Sequence, residues 1–198
     1  AQVRYGGKGI NYNPNGWYPK CTGVFGIYGA RPQITDSVFE QNFAISFYME
    51  KGAHPLLERN TIKNTVVAPY ASAWMSGFGV RIADASSTAD IIGNMFEDNT
   101  IGISSESATS TSFIVKENTF ARNQRNGEFN GQNDFNLDNT NNQDSEHKGG
   151  FYIKIIVRDG QVKTLRADTM PYIIRGGITI MEGGVLAIEP GAVIKSAT

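Results

Sequence analysis

The chain has 198 residues, 18 basic and 19 acidic, for a net charge of −1 and a pI near 6.2. That balance leaves no electrostatic footprint for nucleic acid or for an anionic membrane surface, and no apolar run reaches the length of a membrane-crossing helix. The length suits one domain or one and a fraction, and Cys21, the single cysteine, excludes an intrachain disulfide.

In chain order, the sequence opens at Ala1 with no signal peptide and reads as a processed or excised segment. Val3-Arg4-Tyr5 alternates like a strand and runs into Gly6-Gly7. It reads as the final strand of a coil that begins outside this sequence. Residues 8–22 are predicted as an inserted loop, punctuated by Asn13-Pro14-Asn15-Gly16 and Pro19 and carrying Tyr12, Trp17 and Tyr18. Cys21 reads as a small core residue, because His54 and His147 lie in no motif that would make it a nucleophile. The first full coil starts at Val24, with Phe25 and Ile27 inward, and turns at Gly29-Ala30-Arg31-Pro32.

A phrase then recurs four times: apolar, two spacers, Asn-like, one spacer, apolar, two spacers, Asn-like. Its copies are Ile34-Ser37-Phe39-Asn42, Leu57-Asn60-Ile62-Thr65, Ile91-Asn94-Phe96-Asn99 and Val115-Asn118-Phe120-Asn123, with first members separated by 23, 34 and 24 residues. Such a period marks a solenoid whose units bury apolar side chains against their neighbours. Apolar residues two apart share one face of a strand, and helical i, i+4 pairing is missing. The phrase predicts two stacked apolar columns, one of Ile34, Leu57, Ile91 and Val115, the other of Phe39, Ile62, Phe96 and Phe120. Asn60, Asn94 and Asn118 fall at the corner between them, where Asn tolerates the left-handed backbone and bonds local groups. Stacked copies predict a ladder of amide bonds, with Ser37 as a weaker rung.

The stretches Pro32-Gln33-Ile34 to Asn42, Pro55-Leu56-Leu57 to Thr65, Ile91 to Asn99 and Val115 to Asn123 resemble the short repeats of right-handed parallel β-helices, found in secreted polysaccharide-active enzymes and surface proteins. The resemblance covers roughly residues 22–137. It implies an all-β fold, a right-handed parallel β-helix occupying residues 1–150.

Later coils are predicted to open with Ile45-Ser46-Phe47-Tyr48-Met49, Val80-Arg81-Ile82 and Ile101-Gly102-Ile103, and a fifth with Phe135-Asn136-Leu137. Ile45, Phe47 and Met49 share one face. Extra residues at 65–78 and 121–134 leave the same corner as the 8–22 loop, and in a solenoid such insertions gather on one side, often the binding side. Tyr70 and Trp74 lie there with Trp17 and Tyr18. Residues 122–148 are dense in Asn, Asp, Gln and Gly and read as a surface loop or a poorly formed coil.

Residues 151–170 are predicted as a β-hairpin at a boundary, because two apolar-alternating runs meet across Asp159-Gly160. Residues 171–198 return to short strands, and Gly184 to Lys195 resembles a segment of large microbial surface proteins that opens a β-helix. About five or six coils at about 4.8 Å give a rod of roughly 25–30 Å.

Chemistry is less legible. Trp17, Tyr18, Tyr70 and Trp74 are candidates to stack on sugar rings. Tyr28, Tyr48 and Arg81 are candidates for a shallow outward platform. Asp134, Asp138, Asp144 and Glu146 offer oxygen ligands suited to calcium but lack EF-hand spacing, so neither a cofactor nor a metal is assigned. Glycoside hydrolysis needs two positioned carboxyl groups; Asp84, Asp90, Glu97, Asp98 and Glu117 are available, but they sit in spacer positions and no catalytic residue is assigned. The sequence therefore predicts an extracellular or cell-surface structural or adhesive module of a larger or self-assembling protein. Its partners would be copies of itself through open solenoid ends, neighbouring domains, or a polysaccharide. The alternatives are a polysaccharide lyase or glycoside hydrolase of the same fold, and a non-catalytic polysaccharide-binding module.

Overall fold

A computed structural model of the chain describes residues 2–4, 10–11, 20–21, 24–67, 77–106, 112–129, 136–146 and 149–197, and every regular element among them is a strand. No helix among the described residues is long and apolar enough to cross a membrane.

Three parallel sheets wrap one core. The six-stranded sheet stacks β1 (Gln2–Arg4), β6 (Val38–Glu40), β9 (Thr61–Lys63), β12 (Met95–Glu97), β15 (Thr119–Ala121) and β18 (Gln143–Asp144). The long sheet stacks eight: β4 (Phe25–Tyr28), β7 (Ile45–Glu50), β10 (Phe78–Ile82), β13 (Ile101–Ser105), β16 (Arg125–Phe129), β19 (Phe151–Val157), β21 (Tyr172–Ile180) and β23 (Ile194–Ser196). The five-stranded sheet stacks β5 (Gln33–Thr35), β8 (Leu56–Glu58), β11 (Asp90–Ile92), β14 (Ser112–Lys116) and β17 (Asn136–Asp138). The chain visits the long, five-stranded and six-stranded sheets in turn, then repeats. Eight strands at about 4.8 Å make a wall roughly 34 Å long.

The expected columns form. Phe39 pairs with Ile62, Ile62 with Phe96 and Phe96 with Phe120, and all four are at most 1% exposed. Beside them Ile34, Leu57, Ile91 and Val115 occupy successive rungs. Phe96 and Phe120 stack with ring centroids 5.2 Å apart and planes 11° from parallel. Each fully buried side chain of this kind stabilises by about 1.5–3 kcal/mol. Strand β1 pairs with β6, as expected of the last strand of a preceding coil.

Two amide ladders run along two corners. At the first, Asn60 Oδ1 accepts the Ser37 N–H, Asn94 Oδ1 that of Asn60, Asn118 Oδ1 that of Asn94 and Asn142 Oδ1 that of Asn118, at 2.9–3.1 Å. At the second, Asn99 Oδ1 accepts the Thr65 N–H and Asn123 Oδ1 that of Asn99, both at 3.0 Å. The left-handed backbone belongs not to the asparagines, as the sequence suggested, but to the residue before each: Asp36, Arg59, Gly93, Glu117 and Asn141 at the first corner, Gln41, Asn64, Asp98 and Arg122 at the second. The labour is divided. One residue makes the bend, which leaves the next amide free to face along the axis.

Several expectations are corrected. Within residues 8–22, Ile10–Asn11 (β2) and Lys20–Cys21 (β3) pair antiparallel. Strand β16 lies inside the 121–134 stretch expected to be an insertion, and β17 joins the five-stranded sheet instead of opening a coil. The long-sheet strand was hidden because Arg125-Asn126-Gly127-Glu128-Phe129 lacks apolar alternation. Gly127 stands at a core position, where an added Cβ would lie 2.6 Å from the Phe151 ring and 2.7 Å from that of Phe129. Ile45 leaves the face of Phe47 and Met49 and packs with Ala44, Phe78 and Ile101 in a separate cluster. The backbone turns here so that positions 79 and 102 face the core: a Cβ on Gly79 would meet Phe96, and one on Gly102 would meet Phe120.

The hairpin does not form. Strand β19 pairs in parallel with β16 and β21, while β20 (Val162–Leu165) pairs in parallel with β22 (Val185–Ile188). Gln161 donates its N–H to Arg158 O at 3.1 Å, closing a tight turn around Asp159-Gly160 that serves as a solenoid corner. From β19 onward the coil alternates between the long sheet and this two-stranded sheet. Residues 166–171 close the end of the first ladder: Thr169 Oγ1 donates to Asn142 O, and the Tyr172 hydroxyl donates to Asn139 Oδ1 at 2.9 Å.

Candidate functional site

The outer face of the long sheet carries the densest chemistry. Gly26, Tyr48, Arg81, Ser104, Glu128 and Tyr152 occupy successive rungs of one column. The face therefore brings Tyr28, Tyr48 and Arg81 onto adjoining strands, with the two tyrosine rings 6.3 Å apart. Tyr28 is exposed, and Lys51 Nζ lies 5.6 Å from its ring centroid. The Tyr48 hydroxyl donates to Glu50 Oε1 at 2.5 Å. Burial, and then this carboxylate, push the Tyr48 phenol well above its ordinary range.

Arg81 is 6% exposed. Its Nη2 donates to Glu106 Oε1 at 2.5 Å and its guanidinium lies 4.9 Å from the Phe78 centroid. Arg81 Nε and Nη1 find no partner among the described residues. Further along, Glu128 accepts from Arg125 Nη1 at 2.6 Å and from Arg175 Nη1 at 2.5 Å, and Arg125 stands 5.5 Å from the Tyr152 centroid. Glu50, Glu106, Arg125, Glu128, Tyr152 and Arg175 were not singled out from sequence. For Glu128 and Tyr152 the signal is register: their column runs one position from each inward residue of the long sheet.

A polar recess of about 190 Å³ opens where β15 and β18 turn towards the long sheet, lined by Arg122, Gln124, Asn126, Asp144, Glu146 and Tyr152 among others. It has room for about six water volumes. Asp144 is committed locally, accepting the N–H of Glu146 at 3.2 Å and that of Gly149 at 2.5 Å. Asp138 stands on β17 in a different sheet from Asp144, and Asp134 lies outside the described residues. Among the described residues no group of three or more potential metal ligands is found.

The other carboxylates are engaged separately. Asp84 accepts the N–H of Lys51 at 2.5 Å and that of Ser87 at 2.9 Å; burial alone would raise its pKa, but these bonds hold it below the ordinary value. Asp90 Oδ1 lies 3.2 Å from His54 Nε2, and Glu97 and Asp98 both meet Arg122. Glu117 is exposed at a corner. Trp17, Tyr18, Tyr70 and Trp74, like Tyr12, lie outside the described residues.

The model of the family described as the right handed beta helix region matches residues 15–144, about two thirds of the chain. Comparison with curated proteins returned no match, and comparison with solved structures returned none. The matched segment spans the coils with the recurring phrase and both amide ladders, and the chain belongs to the right-handed β-helix family.

Proposed function

We propose that the chain is a structural and adhesive module of an extracellular surface protein, a stiff spacer that displays inserted loops at one corner. The observation that carries this reading is the continuity of the rungs. Buried columns and amide ladders tie each coil to the next, so the stability of the rod is built from contacts between neighbours. The outer charged groups support it as well, because Tyr48 with Glu50, Arg81 with Glu106, and Glu128 with Arg125 and Arg175 engage one another.

An antibody against the chain should label intact cells of the source; labelling only after permeabilisation overturns the extracellular placement. Incubation with a panel of polyuronates and neutral polysaccharides should release neither unsaturated nor new reducing-end products. Turnover of any of them would favour the enzymatic alternative.

The recess favours a second reading, a non-catalytic polysaccharide-binding module. Its mixed donors and acceptors beside a tyrosine ring suit one polyhydroxylated ring. Retention on insoluble polysaccharide that falls when Glu146 is replaced by Ala, or Trp17 and Trp74 by Ala, supports it; no retention of the unmodified chain removes it.

A further inference from the structure

Tyr28 and Tyr48 stand on neighbouring strands of the long sheet, and the register sets them diagonally: Tyr28 pairs with Glu50, while Tyr48 pairs with Gly26. The glycine decides where the rings lie. A Cβ at position 26 would be 2.8 Å from Tyr28 Cε2 and 3.3 Å from its hydroxyl, so the Tyr28 ring folds back over its own strand into the space that a side chain at 26 would fill. That space is the rung directly before Tyr48. The two ring centroids are 6.3 Å apart with planes at 54°, and the edge of Tyr28 that enters the column carries Cε2, the carbon ortho to its hydroxyl.

The two phenols differ in what receives their protons. Tyr28 is 44% exposed, so its proton passes to water and its side chain changes rotamer readily. Tyr48 is half-buried and donates to Glu50 Oε1 at 2.5 Å. Burial and then this carboxylate keep the Tyr48 phenol protonated far above neutral pH, so its route to oxidation is loss of an electron together with transfer of that proton to Glu50. The other tyrosines among the described residues are placed differently. Tyr152 has the Arg125 guanidinium 5.5 Å from its ring centroid, and Tyr172 is 2% exposed with its hydroxyl bonded to Asn139 and Arg166.

We propose that Tyr28 and Tyr48 form an oxidative cross-linking site, at which a peroxidase-type one-electron oxidant fed by hydrogen peroxide joins the two rings into a dityrosine that ties β4 covalently to β7. Each phenol loses one electron to the oxidant and one proton, the proton of Tyr48 going to Glu50 and that of Tyr28 to water. The two phenoxyl radicals pair their electrons in a carbon–carbon bond between Tyr28 Cε2 and a Cε carbon of Tyr48. The ring protons on those two carbons then move to the oxygens and restore both hydroxyls. The chain loses two hydrogens overall, and hydrogen peroxide is reduced to two waters. The product closes a covalent loop over residues 28–48, which restricts the unfolded chain and stabilises the fold as other covalent loop closures do.

The test treats the dilute, unmodified chain with a haem peroxidase and hydrogen peroxide, then maps its peptides by mass spectrometry. The expected product is a monomeric chain in which the peptides of Tyr28 and Tyr48 are joined, lighter by two hydrogens and showing dityrosine fluorescence. Oxidation that leaves these two tyrosines unlinked, or links them only between chains, overturns the proposal while leaving surface labelling and the absence of turnover unaffected. Gly26→Ala keeps both phenols but displaces the Tyr28 ring, and it should cut the yield of the link several-fold. Glu50→Gln keeps a hydrogen-bond acceptor but cannot take the proton, and it should slow coupling at least about tenfold. Parent-like coupling in both variants overturns the arrangement, because the link would then come from chance collision of accessible rings. If either variant loses the circular dichroism of the parent, Tyr28→Phe, at an exposed position, replaces it and should abolish the link; the peptide map of the unmodified chain decides independently.

Discussion

Asn94 and Asn118 are joined twice: the Asn94 backbone N–H and its side-chain Nδ2 both donate to Asn118 Oδ1, at 2.9 and 3.1 Å. Asn94 also donates to Leu57 O at 2.8 Å, and its own Oδ1 accepts from the Asn60 N–H. The residue is 1% exposed, so water cannot replace these bonds. Replacing Asn94 by Ala should cost about 3 kcal/mol, since a buried N–H and a buried carbonyl lose partners at about 1–3 kcal/mol each. Ser37→Ala at the first rung should cost below about 1 kcal/mol, because its backbone N–H keeps Asn60 Oδ1 and the serine hydroxyl bonds locally, to Thr35 O. Urea denaturation of both variants checks the gradient; equal losses would show that the ladder is not the source.

The left-handed corner residues give a prediction with two opposite signs. Glu117 has φ 57° and is exposed, and Gly93 fills the equivalent place one rung earlier at φ 62°. A Cβ on Gly93 would meet only Arg59 Cγ, at 3.8 Å, so space is not the constraint. A left-handed backbone costs a residue with Cβ about 1–2 kcal/mol, offset in part by its stiffer unfolded chain. Glu117→Gly should therefore stabilise by about 0.5–1 kcal/mol, and Gly93→Ala should destabilise by a similar amount. Paired thermal melts read both.

Much of the architecture is legible in the chain because two constraints coincide in one phrase. Phe96 and Phe120 must be apolar to fill the core, and Asn94 and Asn118 must be Asn to bond both along the axis and back to the chain. Where only one constraint acts, the signal fades. The rung after Val115 puts Asn139 in the core column, and the rung after Phe120 puts Asp144 there; both are largely buried, with Asn139 paired to Tyr172. That coil reads as polar loop although Asn142 still completes the ladder. Asp159-Gly160 misleads for a related reason. A tight turn looks the same whether the following strand folds back beside its predecessor or moves on to another sheet, and local sequence does not distinguish the two. The outer face is harder still, since Glu128 and Tyr152 meet only through register across coils.

Ser105 stands in a column of the long sheet two positions on from Ile103, between Ile82 and Phe129; it is fully buried, and its Oγ has no hydrogen-bond partner among the described residues. A buried hydroxyl left unpaired costs about 1–3 kcal/mol. Ser105→Ala should raise stability by about 1 kcal/mol in denaturant unfolding with an unchanged m-value. A loss would place an ordered water on the hydroxyl in solution.

Asp98 and Arg122 form a bidentate pair on the surface, Nε to Oδ1 and Nη2 to Oδ2, both at 2.8 Å. The Arg122 hydrogen bonds hold the Asp98 carboxyl below its ordinary value of 3.8. A lowered carboxyl favours the folded state above the ordinary range, and that contribution is lost as pH falls through the folded value. Carbon-detected NMR titration should find Asp98 below 3.8 in the parent and back near 3.8 in Arg122→Gln. The effect on stability should be small and should shrink in salt, as expected of an exposed pair.

Arg81 tests what the outer face is for. Its guanidinium is buried with Nε and Nη1 unpartnered among the described residues, while its ion-pair partner there, Glu106, has a side chain 41% exposed. A buried cation with three of its five N–H donors idle costs more than its pair with Glu106 returns, and exchange for a well-packed apolar chain is commonly neutral or stabilising. Arg81→Met keeps the contact with Phe78 and frees Glu106 to hydrate. The melting temperature should hold or rise by about 2–4 °C, the shift that about 1 kcal/mol gives in a chain of this size. A fall of that size would mean that those nitrogens are satisfied in solution by something the folded chain alone does not supply. The parent's melting temperature should then climb with added galacturonate or phosphate and that of Arg81→Met should not, turning the face from a braced wall into an anion site.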